Sequence, residues 1–217
     1  MGRVNELKDL TRGQIDAALM KIGQDVGIRT VEGIRAFLRD ELIVRSKPFH
    51  RNKHGHYVLT IVGRDLTGEQ EIACMQEGGY CVSKSASQIL TSTDSDGYDI
   101  NHRLEKGREY NIVLVPKEEI TERCVDSIEK YGHSFGYGDP LAGVIPRVCE
   151  VVSDSQMEID GLRYIAALHD PIKDSNGSPC IFHVYRHIDS RCLHADWVYP
   201  GHRWDDNGAF AFFAAAS

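Results

Sequence analysis

The chain has 217 residues, 41% of them hydrophobic and 26% charged, with a formal net charge of −7. That is enough apolar material for one large domain or two small ones, and it excludes a disordered polymer. No apolar run approaches the roughly 18 residues of a membrane span, and the charged start Met1-Gly-Arg-Val-Asn-Glu-Leu-Lys8 departs from a signal peptide, so the expected location is the cytoplasm.

Ile15, Leu19, Ile22 and Val26 recur on one helical face, which predicts a helix over 13–26 closed by Gly27. Thr30 is an N-cap residue for a second helix over 30–41, with Val31, Ile34, Phe37 and Leu38 as its stripe. The short connection Gly27-Ile28-Arg29 fits a helix-turn-helix or an ordinary helical hairpin. Gly33, which weakens the second helix by ~1 kcal/mol relative to Ala, favours the hairpin. Residues 1–44 are therefore expected to be an N-terminal helical pair. Residues 45–56 read as an exposed basic linker broken by Pro48 and Gly55. Tyr57–Val62 then reads as a strand.

A mixed α/β middle region is predicted over 57–160. Thr67-Gly-Glu-Gln70 matches a capping box, opening a helix that Gly78-Gly79 should end. Ser83 caps a further helix through Leu90. Asp94, Asp96 and Asp99 read as turn formers, because no Glu closes a calcium loop. Tyr110–Val115 is a strand stopped by Pro116, and Glu118 and Glu119 should open a helix with Ile120, Cys124, Ile128 and Tyr131 along its stripe. The glycine-aromatic loop Tyr131–Pro140 has no P-loop Lys-Ser/Thr.

Residues 161–217 read as a β-rich unit, with strands over 162–172, 180–188, 195–199 and 208–214. Asn176-Gly177 is a hairpin signal and implies antiparallel pairing. The apolar end should be the last strand of the sheet, since burying Phe210, Phe212 and Phe213 is worth roughly 1.5–3 kcal/mol each. The expected fold class is α+β: a helical pair, then a mixed body ending in an antiparallel sheet.

Charge divides the chain. Residues 1–64 carry twelve basic and seven acidic side chains, a balance of +5, and the rest carries 13 against 25, a balance of −12. Arg45, Lys47, Arg51 and Lys53 cluster in the linker, with Phe49 beside them for stacking. They are suited to an anionic partner, nucleic acid or an acidic protein. The competing reading pairs this arm with the acidic body of its own chain or of a second copy in a homo-oligomer.

The six cysteines contain no C-x-x-C pair and are expected as buried thiols in a reducing compartment. Five histidines fall within 169–202: His169, His183, His187, His194 and His202. Strand parity points Cys180, Phe182 and Val184 one way and His183, Tyr185 and His187 the other. His183 and His187 stand about 13 Å apart along such a strand, too far to share one ion. A turn at Asp189-Ser190-Arg191 would instead bring His187 to Cys192 and His194, a donor set suited to zinc. With Asp205 or Asp206 as base, that set suits a metal-dependent hydrolase. Trp197, Tyr199 and Trp204 offer an aromatic platform for a sugar or peptide, or core filling. No G-x-S-x-G, H-E-x-x-H or deaminase signature occurs.

Leu141-Ala-Gly-Val-Ile-Pro-Arg147, Tyr164-Ile-Ala-Ala-Leu-His-Asp-Pro-Ile-Lys-Asp-Ser-Asn-Gly177 and Trp204-Asp-Asp-Asn-Gly-Ala-Phe-Ala-Phe212 resemble a group of hypothetical proteins common in the genomes of candidate-phyla bacteria. The likeness runs from near residue 57 onward. It implies a bacterial origin and a recurring C-terminal β-module, and it transfers no functional residue. The leading expectation is a non-enzymatic cytosolic binding module that meets an anionic partner through residues 45–53, with no cofactor. A zinc-dependent hydrolase is the alternative.

Overall fold

The structure, a computed structural model, describes residues 50–187, 191–199 and 201–215. The helical pair expected over 13–26 and 30–41, together with Arg45 and Lys47, lies outside the described residues. One mixed sheet of nine strands organises the rest. The strands are β1 (His50–Arg51), β2 (Tyr57–Val62), β3 (Cys81–Val82), β4 (Glu109–Pro116), β5 (Tyr164–Ala167), β6 (Ile172–Lys173), β7 (Pro179–Arg186), β8 (Arg191–Trp197) and β9 (Gly208–Phe213). The helices are α1 (Gly68–Glu77), α2 (Lys84–Leu90), α3 (Tyr98–Asn101), α4 (Val125–Ser134), α5 (Val144–Val151) and α6 (Asp154–Ile159). Helices and sheet together make an α+β protein. Among the described residues no helix is long and apolar enough to cross a membrane.

The strand order is β1-β2-β4-β9-β5-β7-β8-β3, with β6 beside β7. The C-terminal sheet is mixed rather than antiparallel, because β5 pairs parallel with β9 and β3 parallel with β8. Chain order explains the departure. Hairpin-like returns join β5 through β8, and the chain then crosses back to insert β9 between β4 and β5. Residues on both sides of position 160 thus share one sheet.

The central strands bury both faces, as strands covered on two sides must. In β4, Tyr110, Ile112 and Leu114 enter one core, and Val113 and Val115 enter the other. In β9, Ala209 and Ala211 face the first core, while Phe210 and Phe212 fill the second. The first core packs α2 and α5 onto the sheet, and the second is closed by Ile128 of α4, Tyr137 and Trp204.

Local signals placed several elements. Thr67 accepts from Gln70 N–H while the Gln70 side chain accepts from Thr67 N–H, a complete capping box for α1. Ser83 caps α2 through Ala86 N–H. Asp174 Oδ1 accepts from both Asn176 and Ser178 N–H, and Gly177 takes φ +81°, so the predicted turn joins β6 to β7. Asp96 pairs with Lys173, and Asp99 accepts from Gly68 N–H.

The helix expected at Glu118 begins later. Lys117–Glu119 form one 3-10 turn, and α4 starts after Cys124. Cys124 bridges to Arg203 with its backbone extended (φ −82°, ψ 154°), which delays the helix.

Two cysteines depart from the expectation of free thiols. Cys81 of β3 stands opposite Cys192 of β8, with Cα atoms 4.3 Å apart, and the two are joined in a disulfide. Cys74, Cys124 and Cys180 remain thiols.

Candidate functional site

The histidine-rich face is built by the β7–β8 ladder, in which His183 is opposite His194 and Tyr185 opposite Cys192. Alternation sends Phe182, Val184, Leu193 and Ala195 into the first core, which turns His183, Tyr185 and His194 to the other side of the sheet. The His183 and His194 rings stack, with centroids 5.5 Å apart and planes 8° from parallel. Tyr185 lies edge-on to His194 and 4.9 Å from the His187 ring. His187 follows the end of β7 and brings its Nε2 to 3.5 Å from His194 Nε2.

Two arginines frame this face. Arg186 N–H donates to the Arg163 carbonyl at 2.8 Å, which sets the end of β7 beside the start of β5. The Arg163 guanidinium lies 5.4 Å from the Tyr185 ring centroid and makes no ion pair among the described residues. Arg186 meets Glu158 at 3.5 Å, and that carboxylate is largely exposed. A pair of this kind is worth only ~0–1 kcal/mol and yields readily to a competing anion. Arg163, His183, Tyr185, Arg186, His187 and His194 line a depression of about 420 Å3. A second one of about 290 Å3 adjoins it, sharing Arg163 and Tyr185 and bounded by Arg123, Asp205 and Asp206.

Burial sets the protonation of this face. His183 is pushed down to about 4, chiefly by desolvation; Asp196 opposes the shift, and His194 and His202 add to it. His183 Nδ1 is 3.6 Å from Asp196 Oδ2, too far for a hydrogen bond, and it has no other partner among the described residues. His194 is also lowered, by burial and then by His187. The imidazoles of His183 and His194 are therefore neutral at pH 7.

The predicted residues fall as follows. Arg51 is engaged by its own hairpin: Nη1 donates to Gly55 O and Nη2 to the Tyr57 hydroxyl, each at 2.6 Å, and the guanidinium lies 4.0 Å from the Tyr57 centroid. Lys53 is exposed in the turn between β1 and β2. The structure brings His187 and His194 together but removes Cys192 from the predicted zinc set, because its sulfur is bonded to Cys81. The cause is the earlier start of β8, at Arg191 rather than at residue 195, which puts Cys192 in register with β3. Among the described residues no group of three or more His, Cys, Asp or Glu side chains is placed to hold a metal ion. Asp206 pairs with Arg123. Trp204 is buried and fills the second core, whereas Trp197 and Tyr199 are exposed with rings 5.0 Å apart.

Sequence reasoning missed Arg163 and Arg186. Their signal was positional: each sits at the end of a strand, but only the β5–β7 pairing sets them side by side.

The chain matches no family model, no curated protein and no solved structure.

Proposed function

We propose that this protein is a binding module for a compact anionic ligand, a small molecule bearing a phosphate or carboxylate, held in the depression between β5, β7 and β8. The observation that carries this reading is the convergence of two guanidiniums and three imidazoles on one concavity of a body whose net charge is negative. Arg163 supplies a fork of N–H donors that no carboxylate pairs with among the described residues, and Arg186 supplies a second from a weak surface pair. Tyr185 supplies a ring face against which a planar ligand can pack, and a depression of about 420 Å3 is of small-molecule size. Arg51 supports a long basic contact surface less well, because its donors are already used within its own hairpin.

The test is titration of the purified protein with inorganic phosphate and with a nucleoside monophosphate, at low salt and with a chelator present. Saturable binding that weakens at least tenfold in Arg163→Ala and Arg186→Ala is the expected result. Binding lost in Arg51→Ala and Lys53→Ala, but retained in the depression variants, would return the contact to the basic segment. Absence of saturable binding to either anion would end this reading.

A further inference from the structure

We propose that His187 and His194 form a two-imidazole site for a late first-row divalent metal ion, of the Zn2+, Ni2+ or Cu2+ class, with its remaining positions open to solvent or an exogenous ligand. The first support is a distance. The two Nε2 atoms are 3.5 Å apart. A direct hydrogen bond between ring nitrogens would draw them to about 2.9–3.0 Å. Two nitrogens bound at roughly 2.0–2.1 Å to a tetrahedral ion stand ~3.3–3.4 Å apart, close to what is observed.

The second support is that both rings are already held. His194 is stacked on the buried His183, and His187 packs against Tyr185, so little side-chain freedom remains to be lost on binding. His194 is half buried and His187 is exposed, and both line the depression, which provides the entry path. No other side chain hydrogen-bonds either ring among the described residues.

That no third His, Cys, Asp or Glu joins this pair among the described residues sets the kind of site. Two protein ligands leave at least two positions on a tetrahedral ion, as in metal sites that accept an outside ligand rather than structural sites that are closed. Arg163 and Arg186 on the same rim disfavour a bare cation but favour one carrying an anion. The metal site does not depend on the anion reading, because the ion alone is the probe.

The experiment is isothermal titration of tag-free protein with Zn2+, Ni2+ and Cu2+ in a non-coordinating buffer at pH 7.5, followed by melting with and without each metal. One equivalent should bind, tightest for Cu2+ as imidazole donors require, and raise the melting temperature. His187→Ala and His194→Ala should each lose at least tenfold in affinity and lose the metal-induced stabilisation. Both should melt near the wild type without metal, which separates ligand loss from misfolding. His202→Ala, which alters a nearby imidazole outside the pair, should bind as the wild type does. A wild type that takes up no metal, pair variants that bind unchanged, or an equal loss in His202→Ala would each overturn the proposal. Because the anion titrations are made with a chelator present, failure here leaves their outcome independent.

Discussion

The backbone N–H of Phe182 donates to His169 Nε2 at 3.0 Å, and this bond requires a neutral imidazole. His169 is fully buried, and its Nδ1 completes the arrangement by donating to Asp170 O at 2.7 Å. Burial pushes its pKa down to about 3 from 6.5. Because the folded value lies below the unfolded one, the unfolded chain takes up the proton first as pH falls. Stability is therefore complete above about pH 6.5 and declines as pH drops towards 3. One such histidine costs ~1.4 kcal/mol per pH unit, or about 2 kcal/mol between pH 6.5 and pH 5. His183, lowered to about 4 by burial, acts in the same direction. Urea unfolding at pH 7 and pH 5 should show this loss, and His169→Gln should flatten the dependence by one histidine's share. An identical pH slope in wild type and variant would refute it.

The Cys81–Cys192 bond spans 111 residues and fixes the two-residue strand β3 to the edge of the sheet. A cross-link closing a long loop stabilises mainly by restricting the unfolded chain, typically by 2–4 kcal/mol. Cys192 is buried while Cys81 is exposed, so a reductant reaches the bond from the Cys81 side. Dithiothreitol should lower the melting temperature of the wild type by several degrees and leave Cys81→Ala unaffected. Equal responses of the two proteins would show that the bond does not contribute.

What was legible in the sequence was local. The Thr67 box, the Ser83 cap, the Asn176-Gly177 turn and the β-branched, apolar run Tyr57–Val62 each depend on residues within a few positions of one another, and each appears where the pattern placed it. Features set by distant parts of the chain were not legible. Arg191 is charged and would be read as loop, yet it opens β8 because Asp154 Oδ1 lies 2.7 Å from its Nε and Cys149 O accepts from Nη1 at 2.5 Å. That one residue moves the strand start, aligns Cys192 with Cys81 and removes Cys192 from the zinc set. The candidate site was half legible: parity indicated His183, Tyr185 and His187 on one face, but the arginines beside them come from a pairing 23 residues apart.

Gly132 in α4 shows packing overriding helix propensity. A Cβ at this position would lie 2.4 Å from Phe212 Cε1 and 2.5 Å from Cζ. Phe212 is fully buried in β9 and cannot swing aside. In an exposed helix, Gly→Ala gains about 1 kcal/mol. Here overpacking costs roughly 1–3 kcal/mol, so Gly132→Ala should destabilise the protein. Adding Phe212→Leu should recover part of the loss, giving a favourable coupling in a double-mutant cycle. A Gly132→Ala protein as stable as the wild type in denaturant would rule out the close approach.

His56 ties the hairpin of β1 and β2 to the rest of the molecule. It is fully buried, with Nδ1 2.7 Å from the Tyr137 hydroxyl and Nε2 2.8 Å from Glu119 Oε2. Asn52 donates to the same hydroxyl at 2.7 Å, and the Phe135 ring packs edge-on against His56. Since Asn52 donates, the Tyr137 hydroxyl spends its own proton on Nδ1, which leaves the Nε2 proton for Glu119. Tyr137→Phe would keep the ring but leave both Nδ1 and the Asn52 amide without this partner, at a cost of about 1–3 kcal/mol. Arg51→Ala, which removes exposed contacts in the same hairpin, should cost under ~1 kcal/mol. Urea unfolding should therefore rank Tyr137→Phe well below Arg51→Ala. The reverse order would show that the hairpin is held by its own surface contacts and not by the buried histidine.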